Sequence, residues 1–275
     1  MIDLHCHSTY SDGFLSVTAL SQQALSRSVT MLALTDHDTV AGVSELQQIT
    51  QDKPITIIPG IEISIRWNKH DIHILGLQID IDNPLIKEVV VEQKLRRRQR
   101  ANSIAESLAQ LGVPDPLRAA IELAGHDHLA RPHFAQVLVN AGYVKDRAQA
   151  FKRYLKRGRP AYHACQWISL AEAVHAIKGS GGIAVLAHPQ KYGLTQTKLR
   201  QLIEEFKDVG GEGIEVVSGN QNIEGIKLIA AFCQEYGMLA SSGSDFHGGP
   251  ETQVGLGGQP KLPENIQPVW SLWTT

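Results

Sequence analysis

The chain has 275 residues, a formal net charge of -2, 43% hydrophobic and 20% charged residues. Those values describe an ordinary globular protein, long enough for one sizeable core and a small second unit. The near-neutral balance argues against bulk electrostatic attraction to nucleic acid but leaves room for a local basic patch. Cys6, Cys165 and Cys233 are widely spaced and form no Cys-x-x-Cys pair. They fit a reducing cytoplasm rather than a disulfide scaffold. No apolar run reaches membrane-spanning length, and the chain enters a strand at its first residues rather than a signal peptide. A cytoplasmic protein is therefore expected, with no membrane association and no obligate protein partner.

In chain order, residues 1–7 read as a short buried strand ending in His5-x-His7. Further apolar runs of strand length follow at Met31–Thr35, Ile55–Ile58 continuing into Gly60–Ser64, Ile72–Leu77, Gly182–Ala187, Gly213–Val217 and Met238–Ser241. Helical periodicity falls between several of them, at Thr18–Ser28, Val40–Thr50, Leu170–Lys178, Leu199–Lys207 and Ile223–Glu235. Continuous apolar strands alternating with helices predict a parallel sheet covered by helices. Seven such strands favour a closed or nearly closed α/β barrel over an open doubly wound sheet. No G-x-G-x-x-G follows the first strand to support a dinucleotide fold. Between about 81 and 160 the alternation stops and only helical periodicity remains, with Ile104, Leu108 and Leu111 and then Phe134, Val137 and Leu138. The reading is a barrel formed by residues 1–80 and 161–275 with an inserted helical cap subdomain at 81–160. The plainer alternative is a set of long barrel helices.

The chemistry is concentrated at the strand ends. They carry His5 and His7, then Asp36-His37-Asp38, Glu62, His73, His188, and Asp245-x-His247, with Asp12 close behind the first strand. In a strand, alternate side chains share a face, so His5 and His7 can converge on one ion while Cys6 points to the core. Two histidines in a strand are more often packing or surface residues. Yet a β/α barrel gathers all its strand-end loops on one face, so residues more than 240 positions apart in sequence would meet there. Nine candidate ligands exceed what one ion needs and suggest two or three. Mixed imidazole and carboxylate donors suit Mn²⁺, Fe²⁺ or Zn²⁺. A cluster of this kind supplies a metal-bound hydroxide and clamps phosphoryl oxygens, which points to hydrolysis of a phosphoester. Of Asp36 and Asp38, one is expected to cap the following helix and the other to orient His37.

The segments His5–Gly13, Thr35–Asp38, Pro59–Ser64, Ala187–Pro189 and Ser244–His247 resemble the PHP (polymerase and histidinol phosphatase) family of metal-dependent phosphoesterases, in order and unbroken. That resemblance implies a distorted seven-stranded TIM-like barrel with three divalent metal ions, manganese foremost. His5, His7, Glu62 and Asp245 would hold one. Glu62 would bridge to a second, completed by His73 and His188, and Asp12, His37 and His247 would hold the third. Within the insertion, Arg96–Ala101, Arg131–Ala135 and Phe151–Gly158 resemble the bacterial nucleoside 3′,5′-bisphosphate phosphatase group, which includes 5′-3′ exoribonucleases acting on short RNA. The implied reaction releases phosphate and a nucleoside 5′-monophosphate.

Residues 94–100 hold a run of basic side chains whose bland reading is a solvated helix face. Helical phase singles out two of them. Measured from Ile104, Arg97 lies roughly 20° and Arg100 roughly 40° from the apolar stripe. Both are expected to face the barrel mouth and bind the non-scissile 5′ phosphate. Arg131 opens a predicted helix and is placed at the scissile phosphate or its neighbour. His133 is a candidate substrate contact or proton donor. His70, His126, His128 and His175 read as surface residues. Histidinol-phosphate phosphatase, an amidohydrolase using a carbamylated lysine, and a non-catalytic RNA-binding or regulatory module are the alternatives. The first would meet repulsion from the cap arginines, and no strand end offers the second a lysine.

Overall fold

The computed structural model describes residues 1–249 and 253–273. Seven strands form one sheet in sequence order: β1 (Ile2–Asp3), β2 (Met31–Leu34), β3 (Thr56–Trp67), β4 (His70–Leu77), β5 (Ile183–Leu186), β6 (Gly213–Ser218) and β7 (Leu239–Gly243). Backbone hydrogen bonds from Leu4 to Ser242 at 3.0 Å, from Asp245 to His5 at 2.8 Å and from His7 to Phe246 at 2.9 Å join the two ends into a barrel.

The expected all-parallel arrangement needs one correction. β4 runs antiparallel to both β3 and β5, while the remaining pairs are parallel. No helix separates β3 from β4, so a tight turn at Asn68 (φ 51°) and Lys69 returns the chain directly. A parallel neighbour would have needed a crossover of a dozen residues or more.

Alternation along the strands sorts the side chains. Ala33, Ile58, Leu75, Leu77, Ile183 and Val185 pack together as the barrel interior, capped at the far end by the short 3₁₀ turn Val269–Leu272. Their neighbours in sequence face outward. Ile61, Ile63, Ile65, Ile72, Ile74, Ala184 and Leu186 pack against α7 (Leu170–Gly179), α8 (Gln196–Asp208) and α9 (Ile223–Glu235). Cys6, Leu32 and Leu34 pack under α1 (Val17–Ser26) and α2 (Val43–Thr50). The predicted location of Cys6 in the core is correct.

Between β4 and α7 lie α3 (Pro84–Gln110), α4 (Pro116–Ala124), α5 (Arg131–Asn140) and α6 (Arg147–Ala150), the last continued by one π turn at Phe151–Leu155. Asn83 caps α3 through its side chain, and Pro84 takes the first position, where no amide donor is required. α3 belongs to two cores. Ile86 and Val89 pack with the barrel, whereas Ala101, Ile104 and Leu108 pack with Leu129, Phe134, Leu138 and Leu155 in a separate cluster. A single helix thus links the barrel core to the second cluster.

Candidate metal centre

The strand ends converge on Glu62. Its carboxylate is fully buried and lies against five imidazoles: His37 Nδ1 at 2.7 Å, His73 Nδ1 and His188 Nε2 at 2.9 Å, His5 Nε2 at 3.3 Å and His7 Nε2 at 3.4 Å. Asp245 approaches His7 at 3.2 Å and His5 at 3.4 Å. Asp12 approaches His247 at 3.5 Å and His37 at 3.7 Å. All nine sequence candidates therefore meet. Their donor atoms fall into four close groups: His5, His7 and Asp245; His5, Glu62 and His188; His37, Glu62 and His73; and His7, Asp12, His37 and His247. His7 joins the Asp12 group as well as its own, and Glu62 stands between two histidine pairs.

β4 reaches this cluster in a way the sequence did not show. Ile72 and Ile74 face outward, so His73 shares the inner face with Leu75 and Leu77. His5, His37, His188 and Asp245 lie just beyond the ends of β1, β2, β5 and β7, and Glu62 lies midway along β3. His73 comes near the start of β4, because that strand leaves the mouth rather than entering it.

Backbone strain marks the same positions. Asp38, His188 and Asp245 directly follow strand ends and have φ of 53°, 26° and 51°. Non-glycine residues seldom adopt such angles without a functional constraint. Gly243 permits the close passage of β1 and β7, since a Cβ there would sit 2.3 Å from that of His5.

The donor set fits divalent cations. His5 Nε2, Asp12 Oδ1, His37 Nδ1 and Glu62 Oε2 are buried without a well-aligned hydrogen bond among the described residues, although His37 Nδ1 and Glu62 Oε2 stand 2.7 Å apart, an expensive condition unless something else binds them. Imidazole rings stack as closely as 4.1 Å between His7 and His247 and 4.5 Å between His7 and His37. Burial, reinforced by His247 and His37, pushes the His7 pKa down to about 3, so the ring is neutral and one nitrogen lone pair is free for coordination. Six crowded imidazoles around three carboxylates suit divalent metals in composition and geometry.

Glu215 completes the first histidine. It sits on the inner face of β6 one level below the ligands and accepts from His5 Nδ1 at 2.9 Å and from the His188 amide at 2.6 Å. This fixes the His5 tautomer and turns Nε2 toward Glu62. The sequence assigned no candidate ligand to the Gly213–Val217 strand. The available signal was an acid inside an otherwise apolar strand, Gly213–Val217. Lys191 was also missed. It rises from the 3₁₀ turn Pro189–Tyr192 and ion-pairs with Asp245.

The two aspartates beside His37 act otherwise than expected. Asp36 accepts from Ser8 and Ser11 and so orders the first loop, and burial raises its pKa to about 6. Asp38 accepts from the Ser64 amide at 2.7 Å and Gln93 at 2.9 Å, and pairs with Arg97 at 2.5 Å. Burial alone would raise Asp38, but the Arg97 guanidinium and the Ser64 amide hold it at about 2. Neither aspartate caps α2, whose N-terminus at Gly42 has no side-chain cap. Asp38 instead ties α3 to the barrel mouth.

The predicted inward phase of Arg97 and Arg100 is observed, at 3% and 8% exposure. Arg97 is already neutralised by Asp38. Arg100 lies 4.6 Å over the Trp167 ring with no carboxylate in ion-pair range among the described residues. With Arg131, whose nearest carboxylate is Asp71 at 3.9 Å, they line a chamber of about 140 Å³ bounded by Asp12, His37 and His73. His133 is on the other side of Pro132, in an adjoining chamber of about 160 Å³ with Phe14, His126 and Arg147. His133 Nδ1 accepts from the Ala130 amide at 3.0 Å, and burial lowers its pKa to about 4. His128 is buried, contrary to its expected surface position, and its Nε2 meets the His37 carbonyl at 2.7 Å. His126 meets the Thr9 carbonyl at 2.8 Å. Both fasten the inserted helices over the first two strand loops.

Residues 3–218 match the PHP domain model. The chain belongs to the PHP domain family. Among its PHP relatives, the 5′-3′ exoribonuclease Rnm of Escherichia coli is 41% identical over 273 residues, covering 98% of this chain and 93% of its own length. A 3′,5′-nucleoside bisphosphate phosphatase from Chromobacterium violaceum is 38% identical over 270 residues, with 98% and 95% covered. A solved structure from Chromobacterium violaceum, described as an amidohydrolase with bound sulfate and no metal, superposes with a TM-score of 0.93 at 38% identity, covering 98% of this chain and 95% of that one. Another, described as a metal-dependent phosphoesterase from Bifidobacterium adolescentis, gives 0.85 at 27% identity over 99% and 94%. No described helix is long and apolar enough to cross a membrane.

Proposed function

We propose that this PHP protein is a metal-dependent phosphohydrolase that removes the 3′ phosphate of nucleoside 3′,5′-bisphosphates. The products are a nucleoside 5′-monophosphate and phosphate. The same cleavage, applied to short 5′-phosphorylated RNA, would make it a 5′-3′ exoribonuclease, as its relatives are named. One observation carries the reading: a buried cation without a carboxylate, Arg100, shares with Arg131 a chamber that opens directly onto the metal ligands. The cleft therefore offers two anion sites, one at the ions and one at the arginines, and suits a substrate with two phosphates.

In this reading His5, His7, Glu62 and Asp245 would hold one ion, Glu62 with His73 and His188 a second, and Asp12, His37 and His247 a third. Manganese suits the mixed imidazole and carboxylate donors, as do ferrous iron and zinc. When bound, such ions supply an activated water for in-line attack and neutralise charge on the phosphoryl oxygens. The protein's own contribution is placement. Glu215 fixes His5, and Asp38 holds Arg97 and the start of the inserted segment. Arg100, backed by Trp167, and Arg131 take the 5′ phosphate through paired donors. With its Nδ1 engaged by the Ala130 amide, His133 stays neutral and offers an Nε2–H to the substrate. It is a hydrogen-bond donor in this geometry rather than a proton source.

A histidinol phosphate, with one phosphate and a cationic amine, would bring positive charge against Arg100. An amidohydrolase centre built on a carboxylated lysine has no place for that group, because Glu62 fills the central position and Lys191 pairs with Asp245. The test compares kcat/KM with Mn²⁺ for adenosine 3′,5′-bisphosphate, adenosine 3′-monophosphate and histidinol phosphate. The bisphosphate should lead by about two orders of magnitude, the scale of a lost charge-assisted phosphate contact. Equal rates for the two adenosine compounds would defeat the proposal.

A further inference from the structure

The metal ligands divide the cleft. Asp12, His37 and His73 face the arginine chamber, while His188, Asp245 and His247 face a different cavity of about 550 Å³. No ligand lines both. The larger cavity falls in the range that encloses small organic ligands, whereas the arginine chamber is smaller than that range. Nothing in the bisphosphate reaction needs this second cavity. In that reaction the 5′ phosphate lies on the arginine side and a terminal 3′ phosphate ends at the ions.

The walls of the cavity are chemically suited to a nucleotide. Phe14 is 44% exposed and presents an aromatic face backed by Arg147, whose guanidinium lies 5.1 Å from the ring. Beyond β6, the loop of Ser218, Gly219, Asn220 and Gln221 forms the opposite side. Ser218 is 5% exposed, yet among the described residues its hydroxyl has no hydrogen-bond partner, and neither does Gln221 Nε2. Gln221 Oε1 is held by the Ser218 amide at 3.1 Å, which fixes the orientation of the free amide donor. Lys191 stands at the metal end beside Asp245. Buried polar groups without partners are rare in folded proteins and commonly mark a ligand's place. An aromatic face, neutral amide donors and a lysine at the phosphate end are the elements of single-strand nucleotide binding.

We propose that this cavity is a downstream subsite that binds the nucleotide attached to the far side of the scissile phosphate. The inference rests on the two-anion reading of the cleft and extends it. When the substrate is an oligonucleotide, the phosphorus–O3′ bond of the first nucleotide breaks and water supplies the new oxygen. The first nucleoside departs with its 3′ hydroxyl and its 5′ phosphate. The phosphate at the ions stays on the next nucleotide, as the new 5′ end of the shortened chain. That next nucleotide must lie away from the arginines, and the 550 Å³ cavity is where the ligands leave room for it.

Two variants test this, each assayed with Mn²⁺ on adenosine 3′,5′-bisphosphate and on 5′-phosphorylated diadenylate with a free 3′ end. Gln221→Glu keeps the bond from the Ser218 amide but replaces a donor with a negative charge. Phe14→Leu keeps apolar bulk but removes the stacking face. In each, the ratio of kcat/KM for the dinucleotide over the bisphosphate should fall about tenfold or more, mainly through KM. An unchanged ratio in both variants overturns the subsite. An equal fall on both substrates also overturns it, because the cavity would then hold the first nucleoside. Should the unmodified protein hydrolyse neither compound, the underlying two-anion reading fails instead.

Discussion

Replacing Arg100 with methionine should make the protein more stable and less competent. Burial, together with the charges of Arg97 and Arg131, pushes Arg100 down to about 9. A displacement of that size from an ordinary arginine corresponds to charge-burial strain on the order of 4–5 kcal/mol. Methionine fills similar space without charge but loses the Trp167 contact, which contributes roughly 1–2 kcal/mol. The net expectation is a gain of roughly 2–4 kcal/mol, or an increase in Tm on the order of 4–16 °C for a chain of this size. Function should move the other way. Removing a paired phosphate contact from a desolvated chamber costs roughly 2–5 kcal/mol, so kcat/KM for adenosine 3′,5′-bisphosphate should fall by about 100-fold or more. Adenosine 3′-monophosphate, which has nothing to place in the chamber, should lose little. The assay is a thermal melt of Arg100→Met beside steady-state kinetics on both compounds. A lower Tm, or an equal loss on both substrates, would refute the idea that Arg100 is a strained cation kept for an anion.

Glu215→Gln should weaken metal binding by about 10–100-fold, because the substituted amide no longer draws the His5 Nδ1 proton as a carboxylate does; metal titration of the apo protein followed by calorimetry measures it. Chelation should abolish hydrolysis and lower Tm, with both restored by Mn²⁺, since buried atoms such as His5 Nε2 and Glu62 Oε2 are left without partners. His133 has a pKa lowered by burial to about 4 in the folded protein, below its unfolded value. Its contribution to stability is therefore complete above about pH 6.5 and is lost as the pH falls toward 4. His133→Gln should flatten that part of the pH–stability curve and leave the pH–rate profile between pH 6 and 8 without a shifted inflection; a displaced inflection would restore a proton-transfer role.

The convergence of the nine donor side chains was legible because strands are periodic. Histidine or acid at the end of an apolar run has few bland explanations when it recurs on strand after strand, and a barrel gathers those ends by construction. The inward phase of Arg97 and Arg100 was legible for the same kind of reason, from the helical repeat against Ile104. What periodicity could not reveal was direction and partnership. The apolar pattern of β4 is identical whichever way the strand runs, so the reversal that brings His73 to the mouth was invisible. Asp38 reads as a helix cap or a support for His37 because the residues that claim it, Gln93 and Arg97, are more than 50 positions away. Glu215 was passed over as the end of a strand when it was the support beneath His5. His128 looked like surface because its partner, the His37 carbonyl, belongs to a loop 91 positions earlier.

The central claim is that the ions and the arginines divide two phosphates between them, with the 3′ phosphate at the ions. Phosphorus NMR of adenosine 3′,5′-bisphosphate incubated with the protein and Mn²⁺ tests it directly. The account predicts adenosine 5′-monophosphate and inorganic phosphate as the sole products. Formation of adenosine 3′-monophosphate would put the wrong phosphate at the metal centre and contradict it.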